Sequence, residues 1–149
     1  MQDNFDFVVV GAGIAGLSAA YFLSQSARVA IIEREASPGY HASGRSAAVF
    51  IEAYDNPTVS DLSLQSKSFF KSPPAEFSDY PLVQPLGGLM LIRPDEIDVA
   101  ADYLATWSER CPDLSLITTD EAVEQVPVLK TSAINGAIYD PNLMAIDTN

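Results

Sequence analysis

The strongest constraint on the fold is a glycine-rich turn near the N-terminus, between two stretches of β-branched and apolar residues. The run FDFVVV ends at Val10 and leads directly into Gly11, Gly13 and Gly16. Small and apolar residues follow at helical spacing, and a second apolar run, RVAII, ends in Glu33. Strand, glycine turn, helix, strand and acid within about 30 residues form the pattern of a dinucleotide-binding βαβ unit with two buried parallel strands.

Each position in this pattern matches a physical requirement. Gly11 permits a tight turn out of the strand, Gly13 lets a pyrophosphate approach the backbone, and Gly16 lets the helix pack against the strand. The helix N-terminus offers free N–H groups and a positive dipole to phosphates. The carboxylate of Glu33 can accept hydrogen bonds from ribose hydroxyls, and an acid there disfavours the 2′-phosphate of NADP. The context therefore predicts dinucleotide binding rather than an ordinary strand–helix connection.

The loop after the second strand bears on which dinucleotide is bound. Residues 36–48, ASPGYHASGRSAA, combine small residues, serine hydroxyls and Arg45. Such a loop can lie along an extended ligand and offer it backbone N–H groups, and a guanidinium suits a pyrophosphate or the edge of a flavin. A typical NAD-binding domain has a shorter loop and another crossover helix here. The loop therefore favours FAD, and an NAD-dependent dehydrogenase stays the alternative.

Composition excludes several other classes of protein. The 149 residues carry 20 acidic and 8 basic side chains, for a net charge of −12, which argues against binding to nucleic acid or to an anionic membrane. The lone Cys111 excludes an internal disulfide or a multi-cysteine metal site, and no residues show metal-ligand spacing. No apolar run approaches the roughly 20 residues of a membrane span, and the acidic start is not a signal peptide. We therefore expect a cytoplasmic protein without an integral membrane segment.

The remainder of the chain mixes helices and short strands. Thr118 and Glu121 fit a capping box. The predicted elements are a helix over 57–71, a turn-like stretch over 76–85, a strand over 86–92, a helix over 94–110, a strand over 114–117, a helix over 118–126 and a strand over 134–139. The apolar stripe predicted for the second of these helices consists of Ile97, Ala100, Ala101, Leu104 and Trp107.

At this level of detail the sequence resembles a known group of enzymes. The stretch from Asp6 to Glu35, followed by PGYHASGRSAA, is similar to the N-terminus of the D-amino-acid oxidase-like flavoproteins, and within them most similar to the bacterial D-arginine dehydrogenases. Weaker likeness continues at Ala53 and Tyr54, then over 126–129, 139–141 and 146–148. The resemblance implies an α/β fold: a Rossmann-like FAD-binding βαβ unit of the glutathione-reductase type over 1–50, leading over 51–149 into a linker helix and the start of an α+β substrate domain.

The resemblance also implies a role for each matching residue. Glu33 would hold the adenosine ribose, with Arg34 beside the adenine, and Tyr54 would match a substrate-pocket tyrosine, although a half-buried packing tyrosine fits the sequence equally well. The residues that would line the FAD pyrophosphate are Gly11, Gly13, Ile14, Ala15 and Gly16. Those that would wrap the flavin side are Ala42, Ser43, Gly44, Arg45, Ser46, Ala47 and Ala48, with Arg45 and Ser46 as the main polar contacts.

The implied activity is FAD-dependent oxidation of the C–N bond of an amino acid or amine, by hydride transfer to the flavin. Val49 stands where the arginine dehydrogenases have a substrate-contacting His, and the stretch Pro85–Leu89 lacks their substrate-reading carboxylate. A smaller or less basic substrate is therefore expected. No catalytic base and no carboxylate-binding arginine can be assigned. His41 is expected to be a solvated loop residue rather than a base or a flavin anchor.

The resemblance covers only the N-terminal portion of the family architecture. We therefore expect the C-terminal half of that architecture to be absent from this chain. An alternative function follows from this expectation, namely an inactive fragment that at most binds nucleotide. A fragment with an incomplete sheet can form homo-oligomers through its exposed edges.

Overall fold

The structure is a computed structural model that describes residues 4–54 and 56–147. The described residues divide into two compact units, residues 4–48 and Val49–Asp147. The elements in chain order are β1 (Phe7–Val10), α1 (Ile14–Ser24), β2 (Val29–Ile32), β3 (Val49–Phe50), α2 (Pro57–Lys71), β4 (Val83–Pro85), β5 (Gly88–Leu91), α3 (Ile97–Trp107), β6 (Ser115–Ile117), α4 (Thr119–Gln125), β7 (Ala137–Asp140) and β8 (Met144–Ile146).

The first unit is the predicted βαβ unit. Strands β1 and β2 pair in parallel, with Phe7 opposite Val29 and Val10 opposite Ile32. Helix α1 connects them and contains no charged residue. Parallel neighbours need a crossover connection of this kind, because a short hairpin can join only antiparallel strands. The α/β class and the Rossmann-like unit are therefore confirmed.

The prediction that β1 and β2 are buried strands is wrong for most of their side chains. Val8 is 55% exposed, Val10 is 82% exposed and Ile32 is 57% exposed. Parallel sheets are buried when helices cover both faces, whereas one helix accompanies two strands in this unit. Ala12 and Ala20 are the buried residues of the unit, at 3% and 5% exposure.

The second unit contains two antiparallel three-stranded sheets. One has the order β3-β8-β4, with Val49 opposite Ala145, and the other has the order β5-β7-β6, with Leu89 opposite Tyr139. Helix α3 packs on the second sheet through Ala100, which lies in a cluster with Ile92 and Ile138. This arrangement is the α+β architecture expected of the region.

Most of the predicted elements are present, with shifted ends. The helix over 57–71 matches α2, which begins with Asn56 as its N-cap residue, and Thr118 and Glu121 form the predicted capping box at α4. The turn-like assignment of 76–85 is wrong at its end, because Val83–Pro85 pairs with β8. Strands β3 and β8, which are only two and three residues long, were not predicted.

The predicted stripe on α3 is right at its centre and wrong at its start. Ala100 and Trp107 are buried, at 5% and 3% exposure, and Leu104 is partly buried. Ile97 is 54% exposed, because it is the first residue of the helix. Ala101 is exposed because it lies one position off the face that carries Ala100 and Leu104. Thr148, part of the C-terminal resemblance, lies outside the described residues.

The capping box of α4 generates a stability prediction. The hydroxyl of Thr118 accepts a hydrogen bond from the Glu121 amide at 3.2 Å, and the Glu121 carboxylate accepts one from the Thr118 amide at 2.8 Å. We expect Thr118→Ala to lower the free energy of unfolding by about 1 kcal/mol, the usual effect of losing an N-cap side chain. Chemical denaturation measures it.

The matched control is Thr106→Ala, which removes a hydroxyl that bonds the Asp102 carbonyl within α3. Because alanine has a higher helix propensity than threonine, this change should leave the free energy of unfolding unchanged or raise it slightly. Equal destabilisation by the two variants would contradict the role assigned to the cap.

Candidate functional site

The glycine turn brings the end of β1, the start of α1 and the end of β2 together. Gly11 has φ of +99°, a left-handed conformation that residues with a side chain rarely adopt, and its N–H donates to the Ile32 carbonyl at 2.8 Å. A Cβ on Gly16 would lie 2.0 Å from the Gly11 carbonyl oxygen. The first turn of α1 can therefore lie against the turn only because position 16 is a glycine.

The N-terminus of α1 is arranged to receive an anion. Its N-cap residue is Gly13, which offers no side chain to the free amides, and the first turn contains no acidic residue. The Ile14 N–H donates to Ser43 Oγ at 2.9 Å. Ala15 and Gly16 lie in the same turn, where amide groups and the helix dipole favour negative charge.

Glu33 connects the end of β2 to the glycine turn. Its Oε2 accepts a hydrogen bond from the Ala12 amide at 2.7 Å, and its Oε1 accepts from the Arg34 and Glu35 amides at 2.6 and 2.9 Å. These bonds, first from Glu35 and then from Ala12, hold the pKa of the Glu33 carboxyl below its ordinary value of 4.5. An ionised carboxylate therefore lies beside the turn.

The loop after β2 folds back onto the same turn. The Gly39 N–H donates to the Ala12 carbonyl at 2.8 Å, and the Gly44 N–H donates to the Gly39 carbonyl at 2.8 Å. Ser43, in a short 3-10 turn over Ser43–Arg45, reaches the N-terminus of α1. Gly39, whose φ is +69°, is a site residue that was not predicted. The Pro38-Gly39 dipeptide, a turn signal, could have indicated it.

The charged and aromatic side chains of the loop lie on its solvent side. The Arg34 side chain is 84% exposed and pairs with Glu35 at 2.9 Å. The guanidinium of Arg45 lies 4.7 Å from the centroid of the Tyr40 ring. His41 is 60% exposed and contacts Glu35 at 2.9 Å, as expected of a solvated loop residue.

The C-terminal end of the loop is held by a local hydrogen bond. The Ala48 amide donates to Ser46 Oγ at 3.1 Å, and Ala48 has φ of +52°. Ala42 and Ala47 are exposed. The structure thus gathers Gly11, Gly13, Ile14, Ala15, Gly16, Glu33 and Ser43 around one turn, and leaves Arg34 and Arg45 on the outside of the loop.

The second unit holds the residues expected on the substrate side. Tyr54 is 56% exposed, and Val49 lies in β3. The stretch from Leu86 to Leu89 borders a cavity of about 450 Å³ whose other lining residues are Leu91, Gln125, Val126, Leu129 and Tyr139. None of these lining side chains is charged.

Two further features concern residues 4–54 and 56–147. No helix there is long and apolar enough to cross a membrane. The same residues contain no group of three or more His, Cys, Asp or Glu side chains placed to hold a metal ion.

Comparisons with known proteins agree with this geometry. Residues 6–149 match the DAO family, described as FAD dependent oxidoreductase. A flavin-dependent halogenase, chlA, from Dictyostelium discoideum is 26% identical over 92% of this chain, and the match covers 23% of that protein.

Solved structures of similar fold include two amino-acid enzymes. Glycine oxidase from Geobacillus kaustophilus has a TM-score of 0.82 at 23% identity, over 97% of this chain and 41% of its own. L-proline dehydrogenase from P. horikoshii has a TM-score of 0.81 at 22% identity, over 99% of this chain and 39% of its own. The chain therefore spans less than half the length of these proteins, and identities this low establish the fold alone.

The contact between Glu33 and Ala12 generates a pH prediction. Since the folded-state pKa is lowered, the ionised carboxylate supports the turn above pH 4.5, and this support is lost as the pH falls through the lower folded value. The amide resonance of Ala12 should therefore titrate with a midpoint below 4.5. Two-dimensional NMR measures it.

Two variants assign that titration to its group. Glu33→Gln should abolish the low-pH titration of the Ala12 amide, whereas Glu35→Gln should leave it in place. A titration that survives Glu33→Gln would show that another group controls the Ala12 amide.

Proposed function

Because the chain belongs to the DAO family of FAD-dependent oxidoreductases, we propose that its N-terminal unit binds the ADP half of FAD, in an enzyme that oxidises the C–N bond of an amino acid or amine. FAD is the cofactor of this family, as the loop over 36–48 predicted. The observation that carries the proposal is the single turn at which an ionised Glu33 and the N-terminus of α1 meet.

The N-terminus of α1 fits the pyrophosphate. The amides of the first turn point out of the helix, and Gly13 adds no side chain between them and an approaching phosphate. A Cβ on Gly11 would meet nothing within 4 Å, so open space lies beside the turn. At the Ile14 amide, an anionic ligand would take the place of Ser43 Oγ.

Glu33 retains the capacity to bind a ribose hydroxyl. A carboxylate has about four acceptor positions, and three backbone amides occupy three of them, two at Oε1 and one at Oε2. The free position at Oε2 is therefore the one proposed for the adenosine ribose. The bonds already made fix the carboxylate in place before the ligand arrives.

The loop over 42–48 is the proposed contact for the flavin side. Arg45 supplies the positive charge of this segment, and Ser46 supplies a hydroxyl. Arg34 is proposed to lie beside the adenine. When bound, FAD supplies the two-electron acceptor of the reaction, and the role of these residues is to hold and orient it.

The proposed substrate is a small amine or amino acid that is less basic than arginine. The similar structures include a glycine oxidase, an L-proline dehydrogenase and L-amino acid deaminases. The uncharged cavity beside Leu86 to Leu89 supports the choice, since a cationic side chain would find no carboxylate among its lining residues. The exposed Tyr54 is the proposed substrate contact.

A titration of the purified protein with FAD tests the cofactor assignment. We expect Gly13→Val to weaken FAD binding at least about tenfold, since its branched side chain blocks the amides, and a lost hydrogen bond to a charged group costs about 1.5–3 kcal/mol. Fluorescence quenching of the flavin measures the affinity. Gln25→Ala, at the opposite end of α1, is the control and should bind FAD like the parent chain.

The same titration with other nucleotides separates the alternatives. ADP should compete with FAD, because both present the same pyrophosphate and ribose to the turn. Tight binding of NAD with no affinity for FAD would overturn the proposal in favour of an NAD-dependent dehydrogenase.

Anaerobic addition of D-amino acids, glycine or sarcosine to the FAD-loaded protein tests the reaction. Loss of the flavin absorbance with one of these amines is the expected result. FAD binding without bleaching by any of the amines would contradict the proposed activity for this chain and favour a nucleotide-binding fragment.

A further inference from the structure

The segment that leads to Tyr54 contains a buried charge that the proposed FAD site does not use. Glu52 is only 4% exposed, and its carboxylate is in direct contact with the ammonium group of Lys67 on α2. A buried carboxylate is stable only when it is paired, because burial removes its hydration. The ion pair therefore fixes position 52 against α2.

The next residue is held from a different helix. The hydroxyl of Tyr103, on α3, donates to the Ala53 carbonyl oxygen at 2.6 Å. Ala53 itself is 3% exposed and packs in a cluster with Trp107 and Cys111. Two helices thus hold two consecutive residues, one through a side chain and one through the backbone.

Other titratable groups face this cluster. Burial and then the Glu52 carboxylate raise the pKa of Asp140, on β7. Burial and then the same carboxylate raise the pKa of the Cys111 thiol. Glu52, Asp140 and Cys111 all lie near Lys67, whose charge lowers the pKa values of Asp140 and Cys111. Lys67, which pairs with Glu52, therefore also places a positive charge near these two groups, with a smaller contribution at Cys111 from Arg110.

Tyr54 differs sharply from the two residues before it. It is 56% exposed, whereas Glu52 and Ala53 are 4% and 3% exposed. An exposed aromatic side chain on a freely moving loop would lose much conformational entropy on binding a ligand. The two anchors reduce that loss, because they restrict the backbone from which the ring extends.

We propose that Glu52, Lys67 and Tyr103 are positioning residues, which hold the Glu52-Ala53 backbone so that Tyr54 is oriented for the amine substrate. The inference rests on the proposed function for the identity of that ligand. A buried ion pair adds little net stability compared with a well-packed apolar pair. Its proposed contribution here is to fix the orientation of the Glu52-Ala53 backbone that leads to Tyr54.

Tyrosine-labelled NMR tests the positioning directly. The ring signals of Tyr54 are assigned by their loss in Tyr54→Phe. We expect Lys67→Met and Tyr103→Phe each to shift these signals toward the values of free tyrosine and to narrow them. Lys71→Met, which removes an exposed ammonium group one turn along α2, is the matched control and should leave them unchanged.

The emission of Trp107, the single tryptophan of the chain, reports whether each variant keeps its fold. Lys67→Met leaves Glu52 without its cation, so this variant can unfold, and a red-shifted emission would reveal it. If Lys67→Met unfolds, Tyr103→Phe, which removes only one hydroxyl, tests whether the anchors orient Tyr54. Unchanged Tyr54 signals in a folded Tyr103→Phe would overturn the inference.

FAD affinity separates this inference from the proposed function. All four substitutions lie outside residues 4–48, so each variant that keeps its fold should bind FAD like the parent chain. Absence of FAD binding in the parent chain would refute the proposed function. The NMR comparison of the Tyr54 ring signals would still test the positioning, because it needs no FAD. In FAD-loaded protein, Tyr103→Phe should raise KM for the amine more than it lowers kcat, and a fall in kcat at constant KM would contradict the positioning role.

Discussion

The first unit depends on the close approach of α1 to the glycine turn. A Cβ at position 16 would lie 2.0 Å from the Gly11 carbonyl oxygen, closer than any real contact, so the absence of a side chain there sets where the helix can begin. Because the helix begins at the end of β1, the amides of its first turn lie beside the glycine turn, where Ser43 Oγ accepts a hydrogen bond from the Ile14 amide. The contact of Glu33 with Ala12 then places a carboxylate next to those amides. The steric constraint at Gly16 therefore sets the start of the helix, and the backbone amides that bond Glu33 set the place of the carboxylate.

The second unit is held by a different kind of interaction. Its two antiparallel sheets bury small clusters, among them Phe50 with Val83 and Met144. The Glu52–Lys67 pair lies in this unit and connects α2 to the segment after β3. Binding of the cofactor and orientation of the proposed substrate contact are thus assigned to separate sets of contacts, one in each unit, so that each can be altered without the other.

The sequence predicted the parts of the fold that depend on local chemistry. The glycine spacing, the acid at position 33 and the capping box at Thr118 are read from neighbouring residues. The structure contains the tight glycine turn, the Glu33 carboxylate beside it and the capping box. Strands β3 and β8 could not be found this way, since two or three residues carry no periodic signal and their pairing joins Val49 to Ala145. The Lys67 partner of Glu52 was missed for the same reason, because only the folded chain brings α2 to that carboxylate. The exposure of β1 depends on what covers its faces, which local pattern does not specify.

The central claim is that the turn between β1 and α1 binds the pyrophosphate of FAD. The most direct measurement is the change in every backbone amide resonance as FAD is added to isotopically labelled protein. The account predicts the largest changes at the amides from Gly11 to Gly16, with Glu33 and Ser43 next. Saturable FAD binding that leaves the amides of Gly13, Ile14 and Gly16 unmoved would contradict it.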